Sequence, residues 1–131
     1  MRYLLDTNAV IALLNDAQSK LARRARRRKP SEICISSIVA YELYYGAFKS
    51  RRVEHNLAIV DGLRLQVVEF DKEDARQAGE IRAELAHIGM SIGPYDILIA
   101  GQAKSRDMTL VTRNTSEFGR VKGLRLVDWG E

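Results

Sequence analysis

Short apolar runs alternate with longer stretches of helical spacing along nearly the whole chain. Runs at residues 2–5, 32–35, 66–69, 109–112 and 125–127 have the length and composition of buried strands. The first stops at Asp6-Thr7-Asn8 and gives way to Ala9-Val10-Ile11-Ala12-Leu13-Leu14, a helical run. Ser36-Ser37 can cap a helix that begins near Ile38 and continues through Val39, Ala40, Leu43 and Ala47. Another spans 52–64, with Leu57, Val60 and Leu63 as its apolar positions. Asp71 can cap a helix carrying Ala75, Ala78, Ile81 and Leu85, which Gly89 ends. The last helix starts at Gly93-Pro94, where proline suits the first helical position. This alternation predicts an α/β fold with a central, mostly parallel sheet and helices on both faces.

Composition fits one domain of that class. With 131 residues, 46% hydrophobic and 29% charged, the chain can bury one proper core. No apolar run reaches the roughly 20 residues that span a bilayer, and the N-terminus does not read as a signal peptide, so a cytoplasmic protein is expected. Cys34 has no partner for a disulfide and lies in the strand-like Ile33-Cys34-Ile35, which suits a packed thiol in a reducing compartment.

Charge narrows the class of partner. The net charge is +4, and Lys20, Arg23, Arg24, Arg26, Arg27, Arg28 and Lys29 fall in one short stretch. Lys20, Arg23, Arg24 and Arg27 share a helix face, while Leu21, Ala22 and Ala25 form a thin apolar side that ties the helix only weakly to a core. Such a face is either simply solvated or a surface for a polyanion; beside a nuclease-like site, Arg23, Arg24 and Arg27 become candidates for RNA contact.

The acids supply the reason to look for such a site. Asp6 follows the first strand, Glu42 lies in the helix after the second, Asp96 lies in the first turn of the Gly93-Pro94 helix, and Asn114 and Glu117 follow Leu110-Val111-Thr112. In open α/β sheets, ligands gather outside the carboxyl ends of the strands. Each acid also has a plain structural reading: Asp6 as a helix cap, Asp96 as a partner of the helix dipole, Glu117 as the start of a turn, Glu42 as an outward-facing residue. Their joint placement at one sheet edge favours a site. Crowded carboxylates repel, and a divalent cation resolves the conflict; oxygen donors without histidine or thiolate suit Mg²⁺, or Mn²⁺ in its place. His55 and His87 stand far apart in sequence without zinc-ligand spacing. Cations held this way activate water toward a phosphodiester, which is nuclease chemistry.

At this point the motifs resemble a known family. Leu4-Leu5-Asp6-Thr7-Asn8, Ile35-Ser36-Ser37 with Tyr41-Glu42-Leu43 and Gly46, Gly93-Pro94-Tyr95-Asp96 with Ile99-Ala100, and Leu110-Val111-Thr112 with Asn114 and Glu117-Phe118 look like the PIN-domain ribonucleases of VapC toxins. The resemblance runs to the closing Asp128-Trp129. It implies a single PIN domain over residues 1–131, with a Rossmann-like three-layer fold and Mg²⁺-dependent endoribonuclease activity as a toxin of a type II toxin–antitoxin system. Its implied partners are a VapB antitoxin and a second copy in a homodimer. The Gly-Pro-Tyr-Asp segment is similar to the bacterial group for which tRNA, at the anticodon stem-loop of the initiator tRNA, is the implied substrate.

Carried over by residue, the resemblance implies Asp6 and Asp96 as the principal metal ligands, with Glu42 completing the trio directly or through water. It implies Thr112 as a hydrogen-bonding support and Asn8 as a residue orienting Asp6 or a metal-bound water. Many PIN domains have Asp where this chain has Asn114, so Glu117 is expected to serve as the fourth acid, with Asn114 as a weak or supporting donor.

Two other classes fit part of the pattern. A PIN-like RNA-binding module without turnover would bind RNA without needing Mg²⁺. Haloacid-dehalogenase-like phosphatases also open with an acid after the first strand, but they need a second acid two residues on, where this chain has Asn8. Finally, Tyr41, Tyr44, Tyr45 and Phe48 fall on one helix and are expected to pack in the core rather than face a partner.

Overall fold

The computed structural model describes residues 1–131. Five strands, β1 (Tyr3–Leu5), β2 (Ile33–Ser36), β3 (Gln66–Val68), β4 (Thr109–Val111) and β5 (Leu126–Val127), form one sheet in the order β3-β2-β1-β4-β5. Every neighbouring pair is parallel, so the sheet is wholly rather than mostly parallel. β1 is central, with Leu5 in register with Ile35 on one side and Val111 on the other. β1, β2 and β4 are buried throughout, as strands covered on both faces must be.

Seven helices surround the sheet: α1 (Thr7–Asn15), α2 (Lys20–Arg26), α3 (Ser37–Lys49), α4 (Val53–Asp61), α5 (Lys72–His87), α6 (Pro94–Ser105) and α7 (Thr115–Phe118). The caps read from the sequence form. Ser36 Oγ accepts from the Ile38 amide at 3.0 Å, and Asp71 and Asp74 close a reciprocal capping box on α5. The one-turn α7 after β4 is an element beyond the expected set.

Two expectations change. The aromatics of α3 do not enter the core: Tyr41, Tyr45 and Phe48 are exposed, and half-buried Tyr44 donates its hydroxyl to Asp61 on α4. Val39, Leu43 and Ala47, at i, i+4 and i+8, take the inward face and leave the aromatics outside. The thin apolar side of α2, by contrast, is fully used, since Leu21, Ala22 and Ala25 are all buried and Ser19 caps the helix through the Ala22 amide.

α5 and α6 are locked together by a close approach and an ion pair. A Cβ on Gly101 would come within 2.7 Å of the Ala78 backbone, so only glycine allows this approach. One turn of chain away, the Arg106 guanidinium grips the buried Asp74 with two nitrogens, at 3.3 and 3.1 Å, and also donates to the Glu69 carbonyl at 2.8 Å. Burial pushes the Asp74 carboxyl up, but Arg106 and the Asp71 amide outweigh it and hold it below the usual carboxylate range. Asp74→Ala removes the buried half of this ion pair, leaving Arg106 only the more exposed Asp71 at 3.3 Å, and should lower stability by about 2–4 kcal/mol in urea unfolding at neutral pH. A loss within ordinary surface scatter would remove this pair from the account of the fold.

Candidate active site

The sheet order reverses beside β1: the chain builds outward through β2 and β3, then returns to the other side for β4 and β5. Residues leaving β1 therefore enter a crevice between diverging connections. Asp6 is the first of them. Its amide extends the ladder to the Val111 carbonyl at 3.1 Å, and its Oδ1 accepts from the Ala9 amide at 2.8 Å, capping α1. The cap reading of Asp6 is thus correct, yet it leaves the carboxylate only 5% exposed and facing other acids. Burial raises the Asp6 carboxyl; hydrogen bonds from Thr112 and Ala9 offset part of this, and Glu42 and Asp128 add to the rise.

Glu42 reaches the same region from α3. Its Oε1 accepts a 2.8 Å hydrogen bond from Thr7 Oγ1, so the residue after Asp6 tethers the acid of another helix. Asp96, in the first turn of α6, is half-buried, and its carboxyl is pushed up to about 6 by burial and then by Asp6, Glu42 and Glu117. Gly93 leaves room for it, since a Cβ there would sit 3.2 Å from Asp96 Oδ2. Glu117 is held on α7 by a 2.8 Å bond from Asn114 Nδ2, and the Asn114 amide donates to Thr112 Oγ1 at 2.9 Å. Hydrogen bonds thus link Glu117 to Asn114 and Asn114 to Thr112, whose hydroxyl lowers the Asp6 carboxyl.

The structure therefore places Asp6, Glu42 and Glu117 within electrostatic range of Asp96, and joins Glu117 through Asn114 to Thr112. Asn8 differs: its side chain is exposed and makes no hydrogen bond to Asp6, a support supplied instead by Thr112. Thr7 and Asp128 are the residues that sequence reasoning missed. Asp128 follows β5 as Asp6 follows β1, so the same strand-end rule could have found it; the Thr7–Glu42 contact depends on how α1 meets α3. Among the basic candidates, Arg24 donates to the Asp128 carbonyl at 3.3 Å, and with Arg27 and Arg28 it lines a cleft beside Val127 and Trp129, while Arg23 stays outside it.

No lysine or arginine answers these acids. The ion pairs of the structure join Arg106 to Asp71 and Asp74, and Arg125 to Asp107. No three of the site carboxylates close into a finished ligand cage. Mg²⁺ takes one or two carboxylates directly and keeps several waters, so it does not require three converging protein ligands. An oxygen-only donor set, unpaired and mutually strained, fits a hard divalent cation.

This geometry, a parallel sheet with acids at the reversal of strand order, defines a class, and comparison with known proteins names it. The PIN domain family model matches residues 3–124, and the chain belongs to that family. It is similar to the tRNA(fMet)-specific endonuclease VapC of Shigella flexneri, 43% identical with 98% of each chain covered, and to that of Salmonella typhimurium, 44% identical over the same share. Among solved structures, the DNA-bound VapBC of Salmonella typhimurium superposes with a TM-score of 0.93 at 44% identity, and VapBC2 of Rickettsia felis with 0.91 at 36%; they cover 98% of this chain and 98% and 99% of their own. Within the family, the chain is of the VapC type.

The raised Asp96 carboxyl has a signed consequence for stability. The folded state holds the Asp96 proton more tightly than the unfolded one, so this contribution is present at low pH and lost as pH rises from about 4 through about 6. Asp96→Asn is neutral throughout. It should match the wild type near pH 4 and exceed it by about 1 kcal/mol near pH 8, after discounting for the partial exposure of the group. Urea unfolding of both proteins across that range checks this; a variant no more stable than wild type at the alkaline end contradicts it.

Proposed function

We propose that residues 1–131 act as one PIN domain, a cytoplasmic, Mg²⁺-dependent endoribonuclease toxin that hydrolyses RNA phosphodiester bonds in tRNA, at the anticodon stem-loop of the initiator tRNA. The observation that carries the chemistry is the set of uncompensated carboxylates at the reversal of strand order. The names of the Shigella and Salmonella relatives support the choice of tRNA.

Asp6, Asp96 and Glu42 would hold Mg²⁺, with Mn²⁺ able to substitute, and Glu117 would complete the acidic set. When bound, the cation neutralises the acids and draws charge from the phosphodiester and the attacking water. The protein's own groups do the rest. Thr7 fixes one oxygen of Glu42, leaving the other to accept a proton from an incoming water. Thr112, linked through Asn114 to Glu117, supports Asp6, and Arg23, Arg24 and Arg27 would meet RNA phosphates at the edge of the site.

A VapB-type antitoxin and a second copy of the chain are the proposed protein partners. The VapBC complexes among the structural neighbours support the first. Uncovered apolar surface is available for both: the exposed row Tyr41, Tyr45 and Phe48, and a groove of about 340 Å³ bordered by Ile11, Leu14, Leu43, Ile59 and Val60.

The test is cleavage of purified tRNA across a Mg²⁺ titration. Asp6→Asn and Asp96→Asn should each lower the rate by more than the roughly 10–100-fold expected for loss of a supporting residue, with the fold retained. The products should carry a 5′-phosphate and a 3′-hydroxyl. A 2′,3′-cyclic phosphate would mean that the ribose hydroxyl attacks, and metal-independent RNA binding without turnover would make the chain a binding module instead.

A further inference from the structure

A polar cleft of about 470 Å³ adjoins the acids between α1 and the loop from β4 to α7, lined by Asn8, Ile11, Ala12, Asn15, Arg113 and Asn114. Its volume lies within the roughly 300–1,000 Å³ of ordinary ligand pockets. Asn8, Ile11 and Asn15, at i, i+3 and i+7, form one exposed face of α1. Of the polar side chains here, Asn114 alone is engaged within the protein, through its bond to Glu117. The amides of Asn8 and Asn15 and the guanidinium of Arg113 are free.

Arg113 is the telling residue. It sits between Thr112, whose amide binds the Val127 carbonyl at 3.0 Å, and Asn114, whose amide binds Thr112 Oγ1 at 2.9 Å. Its backbone is thereby fixed by the acid network. Yet it forms no ion pair, and it does not figure among the groups that shift Asp6 or Asp96. Arg113 is thus an exposed guanidinium on a held backbone, without a partner in the protein and available to an outside anion. RNA approaching the acids needs such a cation, because each phosphate next to the cut is repelled by the same carboxylates that act on the scissile one. Guanidinium binds phosphate oxygens in pairs. Carboxamides carry a donor and an acceptor side by side and match the edge of an unstacked base, and half-exposed Ile11 offers it an apolar floor.

We propose that this cleft seats a nucleotide adjoining the scissile phosphate, with Arg113 on its phosphate and Asn8 and Asn15 on its base edge, so that this face of α1 selects the sequence cut. The proposal rests on the nuclease reading above and extends it to substrate choice.

The experiment compares wild type, Arg113→Ala, Asn15→Ala and Arg82→Ala. Arg82→Ala removes the same charge from an exposed position on α5 that makes no ion pair. Cleavage is measured on single-stranded oligoribonucleotides with each base placed on either side of the cut. Binding is measured by fluorescence anisotropy with the same changes made in an Asp96→Asn background. Arg113→Ala should weaken binding to every oligonucleotide and reduce the slope of log affinity against log salt by about 1, with Arg82→Ala unchanged. Asn15→Ala should instead alter the ratio of rates between bases at one position, by roughly 5- to 100-fold.

Identical behaviour of Arg113→Ala and Arg82→Ala, or wild-type base ratios in Asn15→Ala, overturns the proposal while leaving the nuclease intact. So does an Arg113→Ala effect confined to retention of a protein partner. If the wild type cleaves no RNA but the binding differences persist, the nuclease reading falls, and with it the selection of a cut by this cleft.

Discussion

The burial of the Asp6 carboxylate at the end of the central strand is the constraint on which the rest of the site depends. An ionisable group that is 5% exposed should be paired or neutral, because desolvation penalises its charge. Asp6 receives only hydrogen bonds, from the Ala9 amide and the Thr112 hydroxyl, and its charged neighbours are Glu42 and Asp128. The fold therefore spends stability to keep it there. That stability is drawn from apolar strands buried on both faces and from the tight α5–α6 pair.

The contrast with Asp74 shows what the site lacks. Asp74 is as deeply buried as Asp6, but Arg106 grips both of its oxygens and the carboxyl falls below its usual range. Asp96 is less buried, yet burial raises it, the acids Asp6, Glu42 and Glu117 add to the rise with no cation to offset them, and it reaches about 6. One buried carboxylate is satisfied within the protein, and the other is left for something outside it. That asymmetry separates structural acids from functional ones here more sharply than burial does.

The strand-end acids were legible because they depend on position relative to short apolar runs, which the pattern of residues 2–5 and 109–112 carries plainly. The Thr7–Glu42 tether was not, since it joins α1 to α3 and requires their packing. The outward turn of Tyr41, Tyr45 and Phe48 was hidden for another reason. α3 carries apolar residues around much of its circumference, so periodicity alone could not choose between that row and Val39, Leu43 and Ala47. For Asn8 the resemblance implied a role in orienting Asp6 or a metal-bound water; the helix sets its exposed side chain on the face of Ile11 and Asn15, without a hydrogen bond to Asp6.

If the crowded acids exist to receive a divalent cation, binding must displace the proton that crowding keeps on Asp96. Calorimetric titration of the protein with Mn²⁺, in buffers of different ionisation enthalpy, measures that proton directly. Binding should release up to about one proton near pH 5, where Asp96 is largely protonated, and close to none near pH 8. Binding with no proton release at the lower pH, or no binding at either, would contradict the account.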